Sequence, residues 1–145
     1  MRLEPMYRLT FRYPEEWGVD LDGDASAAGA FFFIAEGRCE GTVAGRFRAA
    51  NHPLRRPDGT FCPDLHGVIE TEDGATIVLD MHGYGRAYPV GARQIVVALT
   101  HVADDPRYRH LNDSLAVGCG EVRHLSEDQT DLVIEVQELI WEPID

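Results

Sequence analysis

The chain has 145 residues and not one lysine; all 13 of its basic residues are arginine. That absence closes several routes. No Schiff base can form on a side chain, no internal aldimine with pyridoxal phosphate can arise, and no Walker-type phosphate loop can be built. Cysteine is scarce: Cys39, Cys62 and Cys119 are widely spaced and odd in number. Neither a disulfide framework nor a zinc ribbon is suggested, and a reduced, cytoplasmic setting is expected. No apolar run approaches the roughly 20 residues of a membrane span. The opening MRLEPMYRLTFRYPEEW lacks the uninterrupted apolar core of a secretion signal. GxSxG, GxGxxG and DxDxDG patterns are also missing.

What is present is acidic. The formal net charge is −12, so phosphate backbones are repelled; neither nucleic acid nor membrane is an expected partner. A hydrophobic content of 44% against 26% charged residues is that of a packed globular chain, and the length suits one domain spanning 1–145.

Alternation with period two dominates. Leu3, Tyr7, Leu9, Phe11 and Tyr13 share one parity, with Arg8, Thr10 and Arg12 on the other, which predicts a half-buried strand. Residues 17–26 (WGVDLDGDAS) read as an acidic, glycine-rich loop, residues 30–36 (AFFFIAE) as an apolar strand, and 41–47 (GTVAGRF) as a strand with a bend. Residues 51–63 hold three prolines and an Asp-Gly pair, a turn-rich excursion. Runs at 64–71 and 75–82, joined by Glu72-Asp73-Gly74, predict a hairpin. Strands at 94–103, 114–125 and 130–141 complete the set, the last two joined by a turn at 126–129. The one helical candidate is a turn around 104–111. The expected fold is all-β: a single closed antiparallel β-barrel of about eight or more strands with at most one short helical turn.

Three stretches carry a family resemblance. They are RPDGTFCPDLHGVIETEDGATI (residues 56–77), PRYRHLNDSLAVGCGEV (106–122) and the closing LVIEVQEL (132–139). In this order they resemble the family called domain of unknown function 3237, over residues 29–139. The resemblance implies a small closed barrel similar to allene oxide cyclase-like barrels, and it implies no agreed activity. The chain departs from the family pattern at four positions. Asn51 and His52 stand where the family has Asp and Trp, His66 replaces the Arg of Asp-x-Arg, and His110 replaces the Trp of Y-x-W-L-N. Any shared pocket is therefore expected to differ here in charge and in the bulk of its walls.

His66 and Asp64 are the candidate catalytic pair. They share strand parity with Glu70, and an imidazole beside a carboxylate is a candidate general base if that face points into the barrel; if it points out, both are solvated. Asp80 and His82 lie across the hairpin and extend the cluster. Cross-strand hydrogen bonding accounts for these four better than a metal site, so no metal or other cofactor is expected. Asn51, Asp80, His82, Tyr84, Tyr108, His110 and Asn112 are the candidate substrate-binding residues. Tyr108 and Asn112 are expected to fix a turn at one mouth of the barrel, and Gly118 and Gly120 to relieve crowding on one face of the next strand. Cys119 reads as a small buried filler, Phe31, Phe32 and Phe33 as core, and Glu135 and Gln137 as solvated residues of the last strand.

The expected function is binding of a small hydrophobic or oxygenated organic molecule in the barrel. A cofactor-independent isomerase, cyclase or hydrolase stands slightly ahead of a non-catalytic binding barrel; a solid barrel serving as an interaction module is the third reading. Apolar residues of both parities at the chain's end (Leu139, Ile140, Trp141) suggest a homodimer.

Overall fold

The computed structural model describes residues 1–21, 29–87 and 93–145. Its strands are β1 (Arg2–Asp20), β2 (Gly29–Gly41), β3 (Gly45–Asn51), β4 (Leu54–Arg55), β5 (Phe61–Cys62), β6 (Asp64–Thr71), β7 (Thr76–Arg86), β8 (Gln94–Ala103), β9 (Leu115–His124) and β10 (Thr130–Ile140). A 3-10 turn, Arg109–Asp113, joins β8 to β9. Eight strands pair antiparallel in the cyclic order β1-β2-β3-β6-β7-β8-β9-β10, and β10 returns to β1. The ring is the closed all-β barrel expected from the alternation. The short β4–β5 hairpin lies outside it and is attached to β7 where Phe61 faces Gly85. Among the described residues no helix is long and apolar enough to cross a membrane.

Three local expectations are corrected. Residues 17–20 belong to β1 rather than to a loop, because Trp17 and Val19 find partners in Phe32 and Ala30 across a long ladder; 22–26 lie outside the described residues. The run 41–47 is two strand ends with a turn between them, not one bent strand. Cys119 is exposed rather than buried. Its flanking glycines take the inward parity, so the thiol points out. A Cβ on Gly118 would meet the Ile134 and Val97 methyls at 2.7 and 2.9 Å, which is the crowding that glycine relieves.

The inward parity builds the core. Leu9, Phe47, Ile69, Ile77, Leu79 and Leu99 are fully buried and fill the half of the barrel near the start of β1 and the end of β8. The 3-10 turn caps that end with Leu111. Asn112 fastens it, since its Oδ1 accepts the Ala103 N–H at 2.7 Å and its Nδ2 donates to the Ala103 carbonyl at 2.9 Å. Tyr108 donates its hydroxyl to Asp73 at 2.8 Å, tying the turn to the β6–β7 hairpin. Gly74, at φ +92°, supplies the left-handed residue that hairpin needs.

One polar pair is sealed in this core. Tyr7 Oη and His101 Nε2 are 2.6 Å apart, and His101 Nδ1 has no partner. With the phenol donating to Nε2, only the Nδ1 proton is left unsatisfied; the opposite tautomer would strand both the phenol proton and the Nδ1 lone pair. Burial pushes the His101 imidazole down to about 4. Burial likewise lifts the Cys39 thiol to about 12, leaving it inert.

An imidazole held neutral in the fold but free to protonate near pH 6.5 when unfolded destabilises the barrel as pH falls. Stability contributed by His101 is complete above about pH 6.5 and is lost progressively towards pH 4. The loss amounts to roughly 3 kcal/mol at the low end of that window. Urea titrations at a series of pH values should show this slope, and His101→Phe should flatten it.

Candidate functional site

At the opposite end the packing gives out. The last inward side chains of β1, β2, β6, β8, β9 and β10 do not meet, and a cavity of about 270 Å³ opens between them. That is near the lower end of the roughly 300–1,000 Å³ typical of ligand sites. Phe11, Leu65, Met81, Ile95 and Ile134 line it on the side of the packed core, Phe33, Val122 and Leu132 line its walls, and Tyr13, Asn51, Arg55, Arg93 and Glu16 supply polar groups.

Local sequence explains why these side chains converge. The β1–β2 ladder slips between Arg12 and Glu15, a bulge that includes Pro14, which has no N–H to give the ladder. Tyr13, on the same inward parity as Leu9 and Phe11, points into the barrel at the edge of this bulge, stacked on Phe33 at 4.9 Å and edge-on to Phe11 at 5.6 Å. Asn51 ends β3, is almost completely buried, and is oriented without ambiguity. Its Oδ1 accepts the Asp64 backbone N–H at 3.0 Å, so the atom facing Tyr13 must be Nδ2, which donates to Tyr13 Oη at 3.0 Å. The phenol oxygen is thus an acceptor on one side, and its own proton meets no acceptor among the described residues. Burial raises the Tyr13 pKa more than the Asn51 hydrogen bond lowers it, so the O–H stays intact at neutral pH. The result is a relay from backbone to amide to phenol that ends in a donor beside the cavity.

The cationic side comes from the excursion between β3 and β6 and from the start of β8. The Arg55 guanidinium lies 5.1 Å from the centre of the Phe31 ring and 5.4 Å from that of Phe61. Arg93 lies 5.6 Å from the same Phe61 ring and donates to the Gly85 carbonyl at 2.8 Å. Phe33 and Phe61 are 6.2 Å apart, so an aromatic wall runs from the oriented phenol to the two arginines. Phe31 and Phe33 are therefore walls of this end rather than core, and Phe32 faces outward against Trp17.

The expected site residues divide sharply. Asn51 is in the cavity. Asp64 and His66 are not: β6 turns Leu65, Gly67 and Ile69 inward, and the parity carrying Asp64, His66 and Glu70 faces solvent. The expectation that this pair works inside the barrel is corrected by that alternation. Asp80 and His82 join them on the outer face. His66 contacts Asp80 through Nδ1 at 2.7 Å and Asp64 through Nε2 at 2.9 Å, and His82 approaches Asp64 at 3.4 Å. Among the described residues no group of three or more His, Cys, Asp or Glu could hold a metal ion. Tyr84 is also outside, half exposed beneath Arg56. Tyr108, His110 and Asn112 sit at the capped end, away from the cavity, where Tyr108 and Asn112 are structural and His110 is exposed.

Tyr13, Arg55, Arg93 and Glu16 were not singled out from the sequence. Alternation marks Tyr13 as a strand residue on the parity of Leu9 and Phe11, but carries no sign of its bond to Asn51.

No family model matches the chain, and no curated protein does. Solved structures do. A beta-barrel like protein from Acinetobacter baumannii AYE shares 21% identity over 94% of both chains, with a TM-score of 0.76. A protein with unknown function from Clostridium acetobutylicum ATCC 824 shares 16% over 97% of this chain and 100% of its own, with a TM-score of 0.79. An enzyme from Penicillium herquei shares 22% over 93% of both, with a TM-score of 0.67. At these identities the likeness establishes the fold, a small closed β-barrel, and the fold alone.

His66, held between two carboxylates, is a test of the outer-face cluster. The hydrogen bond to Asp80 is the largest cause raising its pKa, with the Asp64 charge adding to it. Its contribution to stability is present below the ordinary imidazole value near 6.5 and is lost as pH rises through the elevated one. An NMR titration of the imidazole should show the elevation, and Asp80→Asn should remove most of it.

Proposed function

We propose that this protein binds a small, largely aromatic or apolar organic molecule inside the barrel and acts on it without a cofactor. The observation that carries the proposal is the oriented Tyr13 phenol, whose proton is left over by the Asn51 bond at the wall of an aromatic cavity. A neutral O–H held in a low-dielectric wall is suited to polarising a carbonyl or ether oxygen of a bound molecule. Glu16, the one carboxylate among the cavity-lining residues described, is the group able to take a proton there. This pairing favours proton-transfer chemistry, an isomerisation, cyclisation or hydrolysis, over passive binding. One structural neighbour being described as an enzyme is consistent with such a role for the fold. The apolar end of the chain, with Trp141 80% exposed, supports the proposal of a homodimer.

The neutral naphthyl ketone prodan provides the first test. Its fluorescence should shift to the blue on titration with the protein, and Leu132→Trp, which fills the cavity, should abolish that shift. Tyr13→Phe should weaken binding about fivefold, the worth of one hydrogen bond to the ketone. Absence of binding, or binding that survives Leu132→Trp, would refute the cavity as the site.

A further inference from the structure

The arginines at the cavity mouth allow the ligand's chemical class to be narrowed, on the reading above that a molecule binds inside the barrel. Arginine elsewhere on this acidic chain is largely consumed by carboxylates. Arg8 bonds Glu135, Arg38 bonds Glu72, Arg46 bonds Glu36, Arg107 bonds Asp105 and Arg123 bonds Glu121, all on the exposed surface. Arg93 differs. One of its N–H groups goes to the Gly85 carbonyl, and the others meet no carboxylate among the described residues. Its guanidinium shares the Phe61 ring with that of Arg55. Two cations drawn to one ring repel each other, and among the described residues Glu16 is the one negative charge lining the same cavity. The mouth is therefore locally cationic on a protein whose net charge is −12.

The remaining N–H groups of Arg93 are satisfied by an anion able to accept parallel N–H bonds, and a carboxylate has that shape. The rings from Tyr13 through Phe33 to Phe61 set what joins the carboxylate to the rest of the molecule. Tyr13 and Phe33 are stacked, and Phe61 stands one ring contact further on. A flat conjugated body fits along this wall, with an acceptor oxygen at the Tyr13 end and the charge at the arginine end. We infer that the ligand is an aromatic or conjugated carboxylic acid carrying a second oxygen at its far end, bound as the carboxylate with that oxygen on the Tyr13 hydroxyl.

A matched pair of probes decides it. 6-Hydroxy-2-naphthoate and 6-hydroxy-2-naphthamide have the same ring and the same distal hydroxyl, and they differ only in the charge at the mouth. Calorimetric titration should show the carboxylate binding at least tenfold more tightly than the amide. Arg93→Gln should remove most of that preference by weakening the carboxylate much more than the amide, and Arg55→Gln/Arg93→Gln should abolish it. Tyr13→Phe should weaken both probes equally, by several-fold. Circular dichroism of each variant establishes that the barrel is intact. Equal affinity for the two probes, or a preference that persists in the double variant, overturns the carboxylate assignment and leaves the cavity reading standing. If neither probe binds the parent protein while prodan does, the ligand class inferred here is wrong; if prodan fails as well, the binding site itself is.

Discussion

The ladder between β7 and β8 closes the sheet, and every assignment of inside and outside follows from it. Pairing runs from Ile77 opposite Ala103 to Arg86 opposite Gln94. Once those strands meet, the ring has no unpaired edge, and each strand presents alternate residues to an enclosed interior. An eight-stranded ring is just wide enough for side chains to fill it or for one small molecule to replace some of them. The two ends of this barrel differ in that respect. Near the 3-10 turn, Leu9, Phe47, Leu79 and Leu99 close the space; towards Tyr13 and Asn51 the inward residues leave it open.

The open end is held in shape by bonds that are themselves buried. Asn51 is the pivot, because its amide is committed at both ends: to the backbone of β6 and to the phenol of β1. A buried amide with both ends satisfied has one orientation, and that fixes where the Tyr13 proton can go. The capped end uses the same device for a different purpose. Asn112 pairs with the backbone of Ala103 as a further strand residue would. Two asparagines, one structural and one turned towards a cavity, differ only in what lies beyond them.

Strand existence was legible because period-two alternation is a local signal. The bounds 94–103 were recovered without error from IVVAL-type alternation, and the β6–β7 hairpin from its glycine turn. The chemistry was less legible. Asp64, His66, Asp80 and His82 were correctly brought together, since register across a hairpin can be counted from its turn. Which side of the sheet they occupy could not be counted, because both parities of DLHGVIET carry apolar residues. Tyr13 shares the parity of Leu9 and Phe11, but its partner Asn51 lies on another strand, and Arg55 and Arg93 sit in connections whose partners are distant in the chain.

By itself the sequence determined an all-β chain, most of its strands, its acidic surface and the chemistries that a lysine-free protein is denied. These follow from residue type and nearest-neighbour spacing. Only the tertiary structure decided that the histidine–carboxylate cluster faces water, and that a tyrosine, an asparagine and two arginines from four separate segments share one cavity. Barrel closure is the physical reason. It turns a pattern with two equivalent faces into one that is enclosed and one that is solvated, and no stretch of strand contains that information alone.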